Sequence, residues 1–272
     1  MVNVRWTGAA GLELTHEGLV TLIDPYHSRL GKFDVFFRRL RPRISVVSGY
    51  LEELPGKLSA IIVGHTHFDH ALDIPVFAKR FDGPIIGSSS LQTLMEMHGM
   101  SGRVTVCKGG ERIELPGGAA VTMIPSVHGL VAFGRVPYPG EINPSERLPL
   151  KAGEYRHGAA FILKLEIGGK IFMHVGSANF IQSELEGHRC DILFMCVPGW
   201  KRITGYTSRL LQMMKPKIIV PFHYDDFSDP TSLKKQAPTL PLQDVAGFLK
   251  EISHGAPDAQ IVQAHTFESL NF

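Results

Sequence analysis

Four side chains that can bind a metal ion lie within six consecutive residues. The run His65-Thr66-His67-Phe68-Asp69-His70 directly follows an apolar stretch and Gly64. In an extended segment His65 and His67 project to one side, and Asp69 and His70 reach the same point as the chain turns toward a helix. Neutral imidazole and carboxylate suit Zn²⁺ and, less tightly, Mn²⁺ or Fe²⁺. The run therefore predicts a metal site rather than a histidine-rich surface loop.

Two more histidines stand directly after predicted strands. His128 follows an apolar run over 121–124, and His223 follows one over 217–220. Binding sites in α/β proteins collect where strands end. Neither histidine alone would be a convincing candidate metal ligand. Together with the run at 65–70, the two histidines predict one site of five imidazoles and one carboxylate.

Hydrophobic periodicity predicts the elements that must position these side chains. Runs bounded by turn residues predict strands at 3–6, 12–15, 19–23, 59–63, 84–87, 121–124, 161–167, 170–175, 191–197 and 217–220, and near Val104 and Ile113. Gly168 and Gly169 predict a tight hairpin. Helices are predicted at 74–81, 90–98 and 206–214. Along the chain, a group of strands is followed by strands that alternate with helices, and this order occurs twice. The pattern indicates an α/β chain folded as a layered αββα sandwich.

Residues 129–157 interrupt this pattern. They contain Pro137, Pro139, Pro144 and Pro149 and show little periodicity. A long irregular segment inside a compact domain is usually a functional loop. We therefore expect a single domain over 1–272 in which 129–157 forms an active-site loop or lid, with a purely structural excursion as the alternative.

The composition is that of an ordinary globular protein. At 272 residues, 44% hydrophobic and 20% charged, the chain can bury a large core without a disulfide or a structural metal. A net charge of +2 and the lack of a binding motif make nucleic acid an unexpected partner, so a small-molecule substrate is expected. Three cysteines and no signal-like N-terminus predict a reducing, cytoplasmic location, with a removed export signal as the alternative.

Residues 29–43 combine six basic side chains with three phenylalanines. Their spacing fits an amphipathic helix, which can contact a lipid or membrane surface or bind phosphate. The alternative is that the aromatic rings belong to the core and the arginines form a solvated face. The oligomeric state is not predicted.

The motifs together resemble those of a known family. The H-x-H-x-D-H run, Ser126-Val127-His128 and Pro221-Phe222-His223 are similar to the metal-binding motifs of the metallo-β-lactamase-fold superfamily of metal-dependent hydrolases. The first hairpin, from Trp6-Thr7-Gly8 to Asp24-Pro25-Tyr26, resembles the branch that includes L-ascorbate-6-phosphate lactonases and N-acyl-phosphatidylethanolamine phospholipases D. The resemblance covers nearly the whole chain and implies a four-layer αββα sandwich.

The resemblance also implies two zinc sites with a bridging water and Asp69 as the catalytic residue. Their ligands would be His65, His67 and His128 for one ion, and Asp69, His70 and His223 for the other. The chain departs from the family at Ser177, which follows Gly176 where the family usually carries a bridging aspartate. A weakened second site, a single-metal enzyme and rescue by Asp225 or Asp226 are the alternatives, although a solvated turn is favoured for that pair.

The implied reaction is hydrolysis of a phosphodiester, a lactone or a similar ester by a metal-bound hydroxide. The basic segment 29–43 gives a weak preference for substrates that carry phosphate. The rival interpretation is a non-catalytic metal-binding or interaction protein in which Ser177 marks a degenerate second site.

Five other polar or sulfur-bearing positions carry less weight as candidate site residues. Asp24, in the sequence Asp-Pro-Tyr-His, is predicted either to hydrogen-bond a ligand histidine or to form a plain turn. A structural role is expected for His174 and for His157. Cys190 and Cys196 flank an apolar strand and are expected to be buried bystanders.

Overall fold

Two seven-stranded β-sheets form the centre of the protein. The computed structural model describes residues 1–229 and 238–272. Within these ranges the strands are β1 Asn3–Gly8, β2 Gly11–His16, β3 Leu19–Ile23, β4 Lys57–Ile62, β5 Ile85–Gly87, β6 Val104–Val106, β7 Arg112–Glu114, β8 Ala120–Ser126, β9 Ala160–Ile167, β10 Lys170–Val175, β11 Ile192–Cys196, β12 Ile218–Phe222, β13 Gln260–Ile261 and β14 Ser269–Asn271.

The helices of the described ranges lie between these strands. They are α1 Lys32–Phe37, α2 Ile44–Glu52, α3 Phe68–Ala71, α4 Ile74–Ala78, α5 Ser89–Met97, α6 Gln182–Leu185, α7 Tyr206–Met214 and α8 Val245–Gly255. None of these helices is long and apolar enough to cross a lipid bilayer.

Each sheet mixes parallel and antiparallel strands. The first sheet has the order β14-β1-β2-β3-β4-β5-β6, and the second has the order β13-β12-β11-β10-β9-β8-β7. Strands β3 to β6 run parallel, as do β10 to β13, whereas the remaining neighbours are antiparallel. Helices flank both sheets. The predicted αββα sandwich of the metallo-β-lactamase type is confirmed.

The burial of β4 explains why this strand is a continuous apolar run. Ala60 and Ile62 belong to the core between the two sheets, whereas Ile61 and Val63 belong to the core between the first sheet and its helices. Successive side chains of a strand point to opposite faces, so a strand covered on both faces needs apolar residues at every position.

The other predicted elements agree closely with the structure. Gly168 and Gly169 both have positive φ, 57° and 72°, as the two-residue turn between β9 and β10 requires. Ser88 caps α5 by accepting a hydrogen bond from the Leu91 amide. The helix expected at 74–81 is shorter, because it ends at Ala78, and it follows the separate short helix α3.

The basic segment is only partly helical, and its aromatic rings are exposed. The lipid or phosphate contact predicted for it stays a prediction. Only residues 32–37 are helical, and Phe33, Phe36 and Phe37 are 62%, 72% and 76% exposed. The interpretation that these rings belong to the core is wrong. Leu30 and Leu40, on either side of α1, fill core positions instead.

A buried histidine makes the stability of the fold depend on pH. His27 is 1% exposed and stacks on the Tyr50 ring with 3.7 Å between centroids. Burial, with smaller contributions from Arg29 and Arg5, lowers the pKa of His27 to about 3 from its usual 6.5. Between these values the unfolded chain binds a proton at His27 that the folded protein does not. The contribution of neutral His27 to the free energy of unfolding is therefore full above pH 6.5 and is lost as the pH falls toward 3.

We expect a His27→Phe substitution to remove this part of the acid sensitivity. Phenylalanine keeps the ring stack and carries no titratable group. Below pH 6.5 the wild type should lose up to about 1.4 kcal/mol per pH unit relative to the variant. Urea unfolding from pH 8 down to about pH 5 measures this difference. His265→Phe, at an exposed histidine, is the control, and an equal pH slope for wild type and His27→Phe contradicts the prediction.

Candidate metal centre

The predicted ligand residues all follow strands that end at one edge of the sandwich. The run at 65–70 follows β4, His128 follows β8 and His223 follows β12. The two sheets are joined at this edge, because the Phe161 amide donates a hydrogen bond to the Gly64 carbonyl. The topology therefore brings residues that are more than 150 positions apart in sequence to one place.

Three histidines form the first cluster. The ligand atoms of His65, His67 and His128 all lie within 4.8 Å of one another, and all three side chains are buried. Nε2 of His65 is 3.1 Å from Nδ1 of His67. Two ring nitrogens at this distance can both direct their lone pairs at one cation.

Hydrogen bonds on the far side of two rings define which nitrogen faces inward. Nε2 of His67 lies 2.9 Å from the Pro137 carbonyl, and Nδ1 of His128 lies 2.8 Å from the Gly129 carbonyl. A carbonyl oxygen only accepts hydrogen bonds, so these nitrogens carry the ring protons. Nδ1 of His67 and Nε2 of His128 are therefore left as lone pairs, which is the form that coordinates a metal.

A carboxylate and two histidines form the second cluster. The ligand atoms of Asp69, His70 and His223 also lie within 4.8 Å of one another in buried positions. Oδ2 of Asp69 is 3.5 Å from Nε2 of His223 and 3.8 Å from Nε2 of His70. The clusters adjoin, since the rings of His65 and His70 are 3.7 Å apart.

Asp24 lies next to His70 of the second cluster. Its Oδ2 lies 2.9 Å from Nδ1 of His70, and its Oδ1 accepts a 2.7 Å hydrogen bond from the Gly64 amide. A side chain at Gly64 would approach Asp24 Oδ2 to 3.2 Å, so glycine lets the carboxylate sit against the loop. Burial raises the pKa of Asp24 to about 6. The structure places Asp24 in contact with His70, a predicted ligand, and the hydrogen-bonding role of Asp24 stays a prediction.

Two residues of this centre have a backbone conformation with positive φ. His223 has φ of 66° and Asp24 has φ of 44°, in the left-handed region that non-glycine residues rarely occupy. Such conformations persist where the surrounding structure imposes them, and they gather at functional sites. At His223 this conformation ends β12.

Burial keeps four of the clustered imidazoles, those of His65, His67, His70 and His128, neutral. It lowers the pKa of His70 and of His128 to about 3, and it lowers the pKa of His65 and His67 well below the usual 6.5, with the neighbouring histidines adding to the effect. Neutral rings with inward lone pairs, beside one carboxylate, are a donor set for a divalent ion such as zinc. The residues therefore fit the metal that the motif implies.

Ser177 lies where the family places a bridging carboxylate. Its Oγ accepts a 2.9 Å hydrogen bond from the Gly129 amide, and the residue lines the cavity beside both clusters. The hydroxyl proton remains available as a donor, but the position adds no negative charge.

The two aspartates considered as replacements are engaged elsewhere. Both oxygens of Asp225 are used, Oδ2 by Arg29 at 2.7 Å and Oδ1 by the Ala9 amide at 2.8 Å. Asp226 pairs with Lys32 at 2.8 Å. Both are buried, so the favoured description as a solvated turn is wrong, and neither carboxylate belongs to the two ligand clusters.

His157 lies beside two of the predicted metal ligands, although we expected it to be structural. Its ring centroid is 5.8 Å from those of both His67 and His128, and its Nδ1 is buried with no hydrogen-bond partner in the described residues. Its carbonyl accepts a hydrogen bond from the Thr66 amide, which ties 129–157 to the histidine run. The sequence signal was its position at the end of that irregular segment.

His174 and the cysteines stay outside the two clusters. His174 hydrogen-bonds the Ala10 carbonyl at 2.8 Å. All three cysteines are free and buried. Cys196 nevertheless lines the cavity at the metal centre.

Two cavities meet at His128. The smaller, about 180 Å³, contains both ligand clusters together with Ser177 and Tyr138. The larger, about 540 Å³, is lined mainly by apolar residues and includes His157 and Lys108. Asp69 is the one acidic residue, and Lys108 the one lysine or arginine, among the described residues that line either cavity.

The fold and the centre together define a class of metal-dependent hydrolase. A family model described as "Beta-lactamase superfamily domain" matches residues 3–223, and the chain belongs to this family. It is a metal-dependent hydrolase of the metallo-β-lactamase superfamily.

Sequence relatives agree with this assignment, and a solved structure shares the fold. A UPF0173 metal-dependent hydrolase from Archaeoglobus fulgidus is 27% identical over 276 residues, covering 100% of this chain and 99% of the relative. Another, from Anaeromyxobacter sp. (strain K), is 28% identical over 236 residues, covering 83% and 75%. Igni18, a novel metallo hydrolase from Ignicoccus hospitalis, shares the fold with a TM-score of 0.65 at 15% identity, covering 100% of this chain and 98% of its own. The branch suggested by the first hairpin stays a prediction.

Proposed function

We propose that the protein hydrolyses a carboxylic ester or lactone with the help of zinc, with a phosphodiester as the second candidate substrate. The observation that supports the metal chemistry is the convergence of six buried ligand side chains whose assignable lone pairs face inward. Apolar cavity walls with a single lysine support an ester of low charge over a substrate rich in phosphate. Since no residue of 29–43 lines either cavity, the basic segment does not support phosphate recognition at the centre.

Each residue of the centre would have a distinct role in metal binding or in the reaction. His65, His67 and His128 would hold one ion, and Asp69, His70 and His223 would hold another. A bound divalent ion supplies a nucleophile at neutral pH by lowering the pKa of water to about 7, and it polarises the scissile bond. The Asp69 carboxylate, as the one acidic group in the cavities, orients the attacking water and accepts its proton. The Ser177 hydroxyl donates a hydrogen bond toward the oxygen that gains negative charge.

We assign the role of an active-site lid to residues 129–157. The Pro137 carbonyl fixes the His67 ring, and Val131 and Tyr138 wall the smaller cavity. Val136 and His157 line the larger one. A segment that touches both cavities and a ligand histidine can exclude water while it positions the substrate.

Metal removal and substrate turnover test this function. Chelation should abolish hydrolysis of soluble lactone and carboxylic ester panels. Adding zinc should restore more activity than adding manganese or iron(II). Turnover of phosphodiesters alone would reverse our choice of substrate class. Tight metal binding without turnover on any panel contradicts the enzyme and favours the rival, a non-catalytic metal-binding protein.

We expect His157→Phe to lower kcat/KM about tenfold without loss of metal. Phenylalanine keeps the ring beside His128 but cannot hydrogen-bond the substrate, a loss of roughly 1–2 kcal/mol. Steady-state kinetics and metal content by mass spectrometry measure the two effects. His188→Phe, at a half-exposed histidine away from the cavities, is the matched control. Unchanged kinetics in His157→Phe would return this residue to a structural role.

A further inference from the structure

Exposed apolar side chains are concentrated around the entrance to the metal centre. Nine large hydrophobic residues are exposed in the described part of the chain. Six of them lie on three segments that adjoin or line the smaller cavity: Phe33, Phe36, Phe37, Phe133, Tyr138 and Leu242. Single exposed apolar residues are normal on a protein surface, whereas a concentrated set marks an interaction site. We call these six residues, of which five are aromatic, the aromatic rim.

The contacts of α1 place its phenylalanines beside the cavity-lining segments. Lys32, which begins α1, pairs with Asp226, and the next residue, Phe227, lines the smaller cavity. After α1, the Leu40 amide donates a 2.7 Å hydrogen bond to the Leu150 carbonyl of the proposed lid. The segment that carries the phenylalanines is therefore tied at its start to the residues after His223 and, at Leu40, to the proposed lid.

The segment that carries the three phenylalanines of the rim is positively charged. Residues 29–43 contain six of the 28 basic residues and one acidic residue, whereas the whole chain has a net charge of +2. Arg29 is buried against Asp225, and Lys32, Arg38 and Arg39 each pair with a carboxylate. No ion pair of Arg41 or Arg43 is found among the described residues, and Arg41 is exposed.

We propose that the aromatic rim docks the protein onto an anionic lipid bilayer, with the entrance of the smaller cavity facing the lipid. Aromatic rings that enter the interface beside arginines at headgroup level are the pattern of a peripheral membrane contact. A second copy of the chain fits less well, because a twofold contact would bring the unpaired arginines against their own symmetry mates. Docking goes beyond the proposed hydrolysis and does not depend on it.

Vesicle sedimentation tests this docking. The probe is vesicles of phosphatidylcholine with or without phosphatidylglycerol, at about 0.1 M and about 1 M salt, where the screening length falls from roughly 10 to 3 Å. The wild type should bind the anionic vesicles at least about tenfold more tightly at low salt. The triple variant Phe33→Ser, Phe36→Ser, Phe37→Ser should lose at least about tenfold in binding, because the exposed rings no longer enter the interface.

Two charge reversals complete the test. Arg41→Glu should weaken binding by roughly fivefold or more, since one basic residue near an anionic surface is worth about 1 kcal/mol. Lys57→Glu, an exposed lysine at the start of β4 on the opposite edge, should change nothing. Thermal unfolding and turnover of a soluble ester should be unaltered in all variants, which separates this inference from the proposed function.

Three results overturn the proposal. Equal binding to neutral and anionic vesicles contradicts the role of the arginines, and full binding by the triple variant contradicts the role of the rim. A wild-type dimer that the triple variant converts to a monomer, without vesicle binding, makes the rim an interface between copies.

Discussion

Substituting Asp69 by asparagine is expected to lower kcat by roughly a thousandfold while the protein stays folded. Asparagine keeps the shape of the side chain but cannot accept a proton from the attacking water. Asp69 is the one carboxylate in the two ligand clusters, so the substitution also removes their whole negative charge. Loss of both functions at one residue makes this the largest catalytic effect that a single isosteric substitution should have.

The matched control for this prediction is Asp226→Asn. Asp226 lies three positions after His223, and it is buried like Asp69, but its carboxylate pairs with Lys32 rather than with the ligands. We expect its kcat to change less than about threefold. Steady-state kinetics with the same ester, and metal content for each protein, complete the comparison. Turnover of Asp69→Asn close to that of the wild type contradicts the role given to this carboxylate.

Substituting Ser177 by aspartate should strengthen binding of a second divalent ion by about tenfold to a hundredfold. The six predicted ligands of the wild type would carry a single negative charge against two doubly charged ions. Asp225 and Asp226 cannot supply more, since Arg29 and Lys32 hold them. We therefore expect one tightly bound and one weakly bound ion in the wild type, because like charges at close range repel each other in a buried site.

The control for the second prediction separates charge from size. Ser177→Asn places a side chain of aspartate's size at the same position without its charge. The aspartate can also accept the Gly129 hydrogen bond that Ser177 accepts now. Calorimetric titration with zinc should show two strong sites in Ser177→Asp, and one in the wild type and in Ser177→Asn. Two strong sites already in the wild type would contradict the prediction, because they would mean that the second ion binds tightly without a carboxylate at position 177.

The sequence predicts the fold and the positions of the ligand residues because these depend on local patterns. The apolar run of β4, the two glycines after β9 and the histidines after β8 and β12 each carry a signal within a few residues. Resemblance to a family then assigns the same positions to metal binding. Their convergence in the structure agrees with that assignment, and the ligand roles themselves stay a prediction.

Features that depend on distant contacts could not be predicted in this way. Asp24 contacts His70 from a backbone position with positive φ, a conformation and a long-range contact that no local pattern signals. His157 meets His67 and His128 through the path of an irregular segment. The exposure of the α1 phenylalanines is equally non-local, since an amphipathic spacing does not say whether another element will cover the apolar face.

Anomalous diffraction from zinc-loaded crystals, measured at the zinc absorption edge, tests the central claim most directly. We predict a strong peak within coordinating distance of His65, His67 and His128, and a weaker peak beside Asp69, His70 and His223. A protein that hydrolyses its substrate with zinc bound elsewhere, and with no peak at these six residues, would contradict the proposed centre.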